Sequence, residues 1–484
     1  MSSRAPSTGL PTIIQGGMGV GVSGWQLARA VSVTGQLGVV SGTALDVVHA
    51  RRLGDGDPGG ELHRAYAAFP VPSIAERVLD RWFIDGGKEP DEAYRPVPMF
   101  DTRPVRARQA LTILANFAEV WLAKDGHGGK VGINFLEKIQ IPTPHAVYGA
   151  MLAGVDAVLV GAGIPTALPN LLDRLSRGDR VAYRVDVEGD TGTTEVHLDP
   201  AEWVPPDPSS AVGSRLDRPA FLAIVGSHTL AAYLAKDPDT RPDGFVVEAP
   251  VAGGHNAPPR GRMTLDDSGQ PVYGSRDVVD LDKMAALDLP FWLAGGHGRP
   301  GGLPAALAAG ASGIQVGTAF ALCAESGMSP ALRDAAVRRA LDGELTITTD
   351  PYASPSGYPF KIADIEGTLS DPERHEARRR VCDLGFLRTA YERPDGSTGF
   401  RCPSEPVEHF IAKGGRPGEP EGRMCLCNGL MATIGLPQVR AEGTEPALVT
   451  LGDDAPAVVQ ALTAGIGPRP WPAAEVVQLL LGEG

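Results

Sequence analysis

A chain of 484 residues, 43% hydrophobic and 21% charged, holds enough apolar material for one large α/β domain with an appendage, or for two or three smaller units. Its formal charge of −14 argues against nucleic acid as a partner, because such binding depends on neutralising phosphates with Lys and Arg. The sequence holds no run of about 18 apolar residues to span a membrane; the opening MSSRAPSTGL lacks the form of a secretion signal, and five cysteines make an unpromising disulfide framework, so a cytoplasmic protein is expected.

Taken in order, short apolar runs alternate with helix-like segments. Thr12–Gly17 and Leu37–Gly42 read as the first two strands, followed by GWQLARAVSVTG and TALDVVHARRLG. The rhythm then breaks over about 55–102, where Gly, Pro and acids surround the apolar piece FPVPSIAERVLDRWFI, which predicts an insertion packed on a barrel rim. It resumes with strands at Lys130–Leu136 and Ala157–Gly163. The alternating stretch at 181–204, turning at a Gly-Asp-Thr-Gly, predicts an inserted hairpin. Phe221–Ser227, Phe245–Ala249, FWLAGG from Phe291 and GIQVGTAF from Gly313 complete eight strands. Apolar strands alternating with helices signal a parallel sheet buried on both faces, and eight of them predict closure into a TIM (β/α)₈ barrel. A competing pattern, Gly19-Val-Gly21-Val-Ser-Gly24, matches the dinucleotide fingerprint of a Rossmann unit. That fingerprint wants an acid at the end of the second strand, which here ends at Ser41-Gly42.

In a (β/α)₈ barrel the reactive groups sit at the carboxyl ends of the strands. Gly295 and Gly296 end strand seven and Gly317-Thr318 end strand eight, the expected place of a phosphate cradle; tight βα turns are the plainer use of such glycines. The polar residues just past the apolar runs are Gln15, Asn134, Ser227, Glu248, His255, His297 and Thr318. His255 follows Gly253 and Gly254, a pair that gives close backbone approach, and an imidazole there serves either as acid or base near neutral pH or as a structural anchor of its loop. His297 lies inside the phosphate turn, either on a cofactor or substrate or at the surface.

These motifs carry a family resemblance. PTIIQGGMGVGVSG, VGINFL, EAPVAGGH and LAGGHGRPGGLPAALAAGASGIQVGTAF, followed by Glu325-Ser326, resemble the FMN-dependent nitronate monooxygenases, once called 2-nitropropane dioxygenases. They equally resemble the bacterial FMN-dependent enoyl-acyl-carrier-protein reductases built on the same barrel. The resemblance implies FMN phosphate on Gly296, Gly317 and Thr318, the isoalloxazine ring near Gly17, Met18 and Asn134, and a catalytic histidine at His255. Gly254 and Gly295 join the cofactor-binding set. The chain departs from compact members at its two insertions and at Asn256-Ala-Pro-Pro after the GGH.

Beyond a barrel expected over residues 1–326, residues 327–484 read as a mostly helical extension. Its segments SPSGYPFKIADIEGTLSDPERHEARRRVCDLGFLRTAY and GRMCLCNGLMATIGLPQ resemble the free-standing enoyl reductases of polyunsaturated-fatty-acid and polyketide synthases. That resemblance favours reduction of an enoyl thioester, free or carrier-protein-bound, with NAD(P)H as reductant; oxidation of alkyl nitronates with O₂ is the alternative, and a non-catalytic barrel subunit a third class. Cys382, Cys402, Cys425 and Cys427 cluster here without a CxxC pair. Packed thiols, a zinc or iron–sulfur site and redox-active thiols are the possible uses. For a metal, Cys425 and Cys427 would project to one side of an extended segment, with Cys382 and Cys402 closing a tetrahedron.

Overall fold

The computed structural model describes residues 9–102, 105–189, 194–205 and 215–482. Eight short parallel strands close into a barrel: β1 (Ile13–Gln15), β2 (Leu37–Ser41), β3 (Val131–Leu136), β4 (Ala157–Gly161), then, after a separate antiparallel hairpin of β5 (Val181–Val185) and β6 (Thr194–Leu198), β7 (Ala220–Val225), β8 (Gly244–Glu248), β9 (Phe291–Ala294) and β10 (Gly313–Val316). β1 pairs with β10 and closes the ring. All eight expected strands form, in the expected order, and the expected inserted hairpin is β5–β6; its turn residues 190–193 lie outside the described residues.

Alternation within each strand divides its side chains between two cores. Ile14, Leu37, Val39, Leu159, Leu222 and Trp292 fill the barrel interior. Their neighbours Ile13, Val40, Val158, Phe221, Phe245 and Ile314 face the surrounding helices and join the larger core. Both sets are apolar, which is why the strands read as continuous apolar runs.

The insertion at 55–102 folds into helices Glu61–Ala67 and Pro72–Trp82, whose Leu62, Tyr66, Ile74, Val78 and Trp82 are buried. It packs against the long helix Arg106–Lys124, in the outer helical layer. From that helix Glu119 accepts from Arg52 Nη1 at 2.8 Å and from the Trp25 backbone N–H at 2.8 Å, with His49 Nε2 at 3.3 Å. One buried carboxylate thus ties the helices that follow β1 and β2 to the long helix that leads into β3.

Beyond β10, helices Pro330–Leu341, Pro372–Ala377, Val407–Ala412, Leu426–Thr433, Ala455–Ile466 and Ala473–Leu481 make the extension a helical region, with three short antiparallel strand pairs and longer connecting segments among its described residues. The extension crosses the barrel mouth. Gly254 N donates to Thr450 Oγ1 at 2.8 Å, Lys361 N to the Gly254 carbonyl at 2.9 Å, and Gly452 N to Thr318 Oγ1 at 3.0 Å. Among the described residues no helix is long and apolar enough to cross a membrane.

Candidate active site

Residues at or just past the end of every barrel strand line one cavity of about 490 Å³, a size suited to a cofactor-sized ligand. The structure brings His255, Gly17, Met18, Asn134, Gly254, Gly295, Gly296, Gly317 and Thr318 together in its wall. Close approach demands glycine at position 17, where a Cβ would overlap the Cβ of Asn134. Gly295 and Gly296 hold φ of 85° and 82°, the left-handed region that glycine enters without strain. Gly317 is different: its φ is −105°, and a Cβ there would stand an ordinary 3.4 Å from Met18 Sδ. The fold tolerates a side chain at that position, so what glycine preserves there is cavity space. Three residues of the wall carry buried atoms without a partner among the described residues: Thr43 Oγ1, Asn256 Oδ1 and Gln315 Oε1.

His255 sits where the β8 loop meets the extension. Its Nε2 lies 2.7 Å from Ser354 Oγ, and its ring stands edge-on to Phe360 with centroids 4.9 Å apart. Burial pushes the imidazole down to about 4, so it is neutral at neutral pH, able to accept a proton or to donate its one N–H, but not to act as a stored imidazolium acid. His297 is half-buried beside the turn into helix Gly302–Ala308, and burial also lowers its pKa.

Glu248, the last residue of β8, lines the cavity and makes no side-chain hydrogen bond among the described residues. Burial pushes its carboxyl up to about 8, against the pull of the Lys361 ammonium. Lys361 itself is 1% exposed and held by Thr349 Oγ1 at 2.5 Å and Asp453 Oδ2 at 2.8 Å. The sequence pointed to Glu248 only as a polar residue at a strand end. Its partner, like Ser354, Tyr358, Phe360, Thr450 and Asp454 of the same neighbourhood, comes from the extension, far away in the chain. A strand-by-strand reading of the barrel contains no signal for them.

The four clustered cysteines line one small cavity of about 10 Å³. The extended segment expected to carry Cys425 and Cys427 is not formed. Cys425 caps the helix Leu426–Thr433 and Cys427 lies within it, so the two do not alternate as on a strand. No group of three or more His, Cys, Asp or Glu among the described residues is arranged to hold a metal ion. This arrangement supports the packed-thiol reading of Cys382, Cys402, Cys425 and Cys427: burial raises the Cys425 and Cys427 thiols, and a hydrogen bond with Cys402 together with burial raises that of Cys382.

A closed parallel barrel with a cavity at the carboxyl ends of its strands is the frame of a TIM-barrel enzyme. Residues 207–354 match the nitronate monooxygenase family. A nitronate monooxygenase of Pseudomonas aeruginosa is 39% identical over 107 residues, 22% of this chain and 29% of that one. A probable nitronate monooxygenase of Staphylococcus aureus is 30% identical over 130 residues, 27% of this chain and 35% of the relative. The matched stretches thus span about a third of the length of these curated relatives. Among solved structures, the enoyl reductase domain of MlnA from the macrolactin biosynthesis cluster of Bacillus amyloliquefaciens shares the fold, with a TM-score of 0.51 and 11% identity over 98% of this chain and 94% of that one. The similarity to nitronate monooxygenases thus lies in the part of the chain that holds the last barrel strands, and the likeness to solved structures is one of fold.

Proposed function

We propose that the protein is an FMN-dependent oxidoreductase that reduces the C=C bond of an enoyl thioester, free or carrier-bound, with NAD(P)H as electron source. The apolar roof of the cavity carries this assignment. Phe386, Leu387, Leu426, Leu430 and Leu448, all from the extension, cover the barrel mouth and offer an acyl chain a surface that a small nitroalkane does not need.

The residues present fit FMN. Thr43 Oγ1, Asn256 Oδ1 and Gln315 Oε1 are buried atoms in want of partners, and a flavin ring carries donors and acceptors along its edge. The backbone of Gly295–Gly296 and Gly317–Thr318 would hold the phosphate, and Gly17, Met18 and Asn134 would flank the ring. When bound, FMN supplies the hydride chemistry that no side chain can. The chain's own residues place the thioester under the apolar roof, exclude water and handle the proton. His255, neutral and tethered to Ser354, orients a carbonyl or accepts a proton at the cavity wall.

Oxidation of an alkyl nitronate is the second reading, favoured by the family match over 207–354 and by the neutral His255, which suits a proton acceptor. Anaerobic flavin spectra separate the two. We expect purified protein loaded with FMN to bleach on addition of NADPH and to recover colour with crotonyl-coenzyme A. Bleaching by a nitronate but not by NADPH would establish the second reaction instead, and protein that remains colourless with excess FMN would exclude both.

A further inference from the structure

We propose that Glu248 is the group that protonates the α-carbon of the enoyl thioester, with Lys361 of the extension stationed to receive the carboxylate charge that results. This rests on the enoyl reductase reading above. Reduction of the double bond requires a hydride at the β-carbon and a proton at the α-carbon. In the second step the Glu248 O–H bond breaks and the electron pair of the enolate forms the new C–H bond. The carboxylate left behind regains its proton from solvent.

Four observations place Glu248 in that role. It ends β8 and lines the cavity, where the reacting groups of a (β/α)₈ barrel stand. Its carboxyl has no hydrogen-bond partner among the described residues, where burial and the charge of Lys361 are what act on it. It keeps that proton through neutrality, because burial raises it to about 8. His255 does not, since burial leaves it neutral and Nε2 is engaged with Ser354. The charged and titratable groups facing Glu248 are Lys361 from the strand Phe360–Ala363 and Tyr273 from the loop after β8; Asp453 stands behind Lys361. Lys361 favours the ionised carboxyl and so eases the departure of the proton, whereas burial keeps the proton in place until a carbanion presents itself.

The test uses Glu248→Gln in the full-length protein, an isosteric change that keeps the packing and removes the proton. Far-UV circular dichroism and FMN content report whether the variant folds and loads. In flavin-free protein at pH 7, the infrared carbonyl band of a protonated carboxylic acid should be present in the parent and absent from the variant. In single turnovers, oxidation of photoreduced flavin by crotonyl-coenzyme A should slow about a hundredfold or more, the usual scale for loss of a general acid. The parent's rate should also fall as pH rises through about 8, and the variant's residual rate should lack that limb. An active parent with an equally active variant would overturn the role of Glu248 alone, as would an unchanged infrared band. A parent that bleaches with NADPH yet leaves the thioester unreduced would overturn the enoyl reductase reading, and the proposal with it.

Discussion

Position 317 shows how a single glycine separates the needs of the fold from those of a ligand. Gly17 is required by the chain itself, since any Cβ there meets Asn134, and replacing it confuses misfolding with loss of binding. Gly317 has an ordinary φ and a Cβ position with room, so Gly317→Val should fold with a melting temperature within a few degrees of the parent while losing most of the FMN binding proposed for it. Retention of full flavin by that variant would mean that the phosphate sits elsewhere. Both glycines were legible in the sequence as turn residues at strand ends, but which of them serves the fold was not, because that depends on the side chain across the barrel. Glu248 gives the same lesson: its place followed from the strand pattern, whereas its retained proton follows from burial and from Lys361, which no local pattern foretold.

The strands and helices were far more legible than the site. Each barrel strand is buried on both faces, so its apolar run survives in the sequence whatever its neighbours. The insertion at 55–102 was visible as a break in rhythm, yet its position was not, because the helices Glu61–Ala67 and Pro72–Trp82 find their partner in Arg106–Lys124, a helix that comes later in the chain. Glu119 is the polar centre of this layer. Burial alone would raise its carboxyl, but Arg52, His49 and the Trp25 N–H outweigh burial and hold it below the usual carboxylate range. A lowered pKa contributes stability that is present above about pH 4.5 and lost as pH falls through the folded value. Glu119→Gln should therefore cost about 2–3 kcal/mol at pH 7, less than a fully enclosed ion pair because Arg52 remains partly exposed, and the deficit should shrink towards pH 4. Urea midpoints at the two pH values measure it; a variant as stable as the parent at pH 7 would show that the layer is held by its apolar contacts alone.

At the scale of the whole molecule, the chain divides in sequence where it does not divide in space. The barrel supplies the strand ends and the extension supplies the roof, and the two are joined through backbone as well as side chains. Gly327 N donates to the Val22 carbonyl at 2.9 Å, Ala324 N to the Trp471 carbonyl at 2.9 Å, and Asn256 N to the Pro359 carbonyl at 2.9 Å. Trp471, Val458 and Val477 of the extension share one apolar core with Leu27, Phe320 and Ile314 of the barrel. Removing the extension would expose that core together with the cavity, so barrel and extension should open as one cooperative unit. The cysteines report on each part: Cys323 is buried just beyond β10, and Cys402 and Cys425 are buried in the extension. Labelling with a thiol reagent across a urea series, read residue by residue by mass spectrometry, should give coincident midpoints for all three. If Cys402 and Cys425 became reactive at lower urea than Cys323, the roof would be a separately opening lid, and access to the cavity would be governed by its motion instead of by the fixed apolar wall.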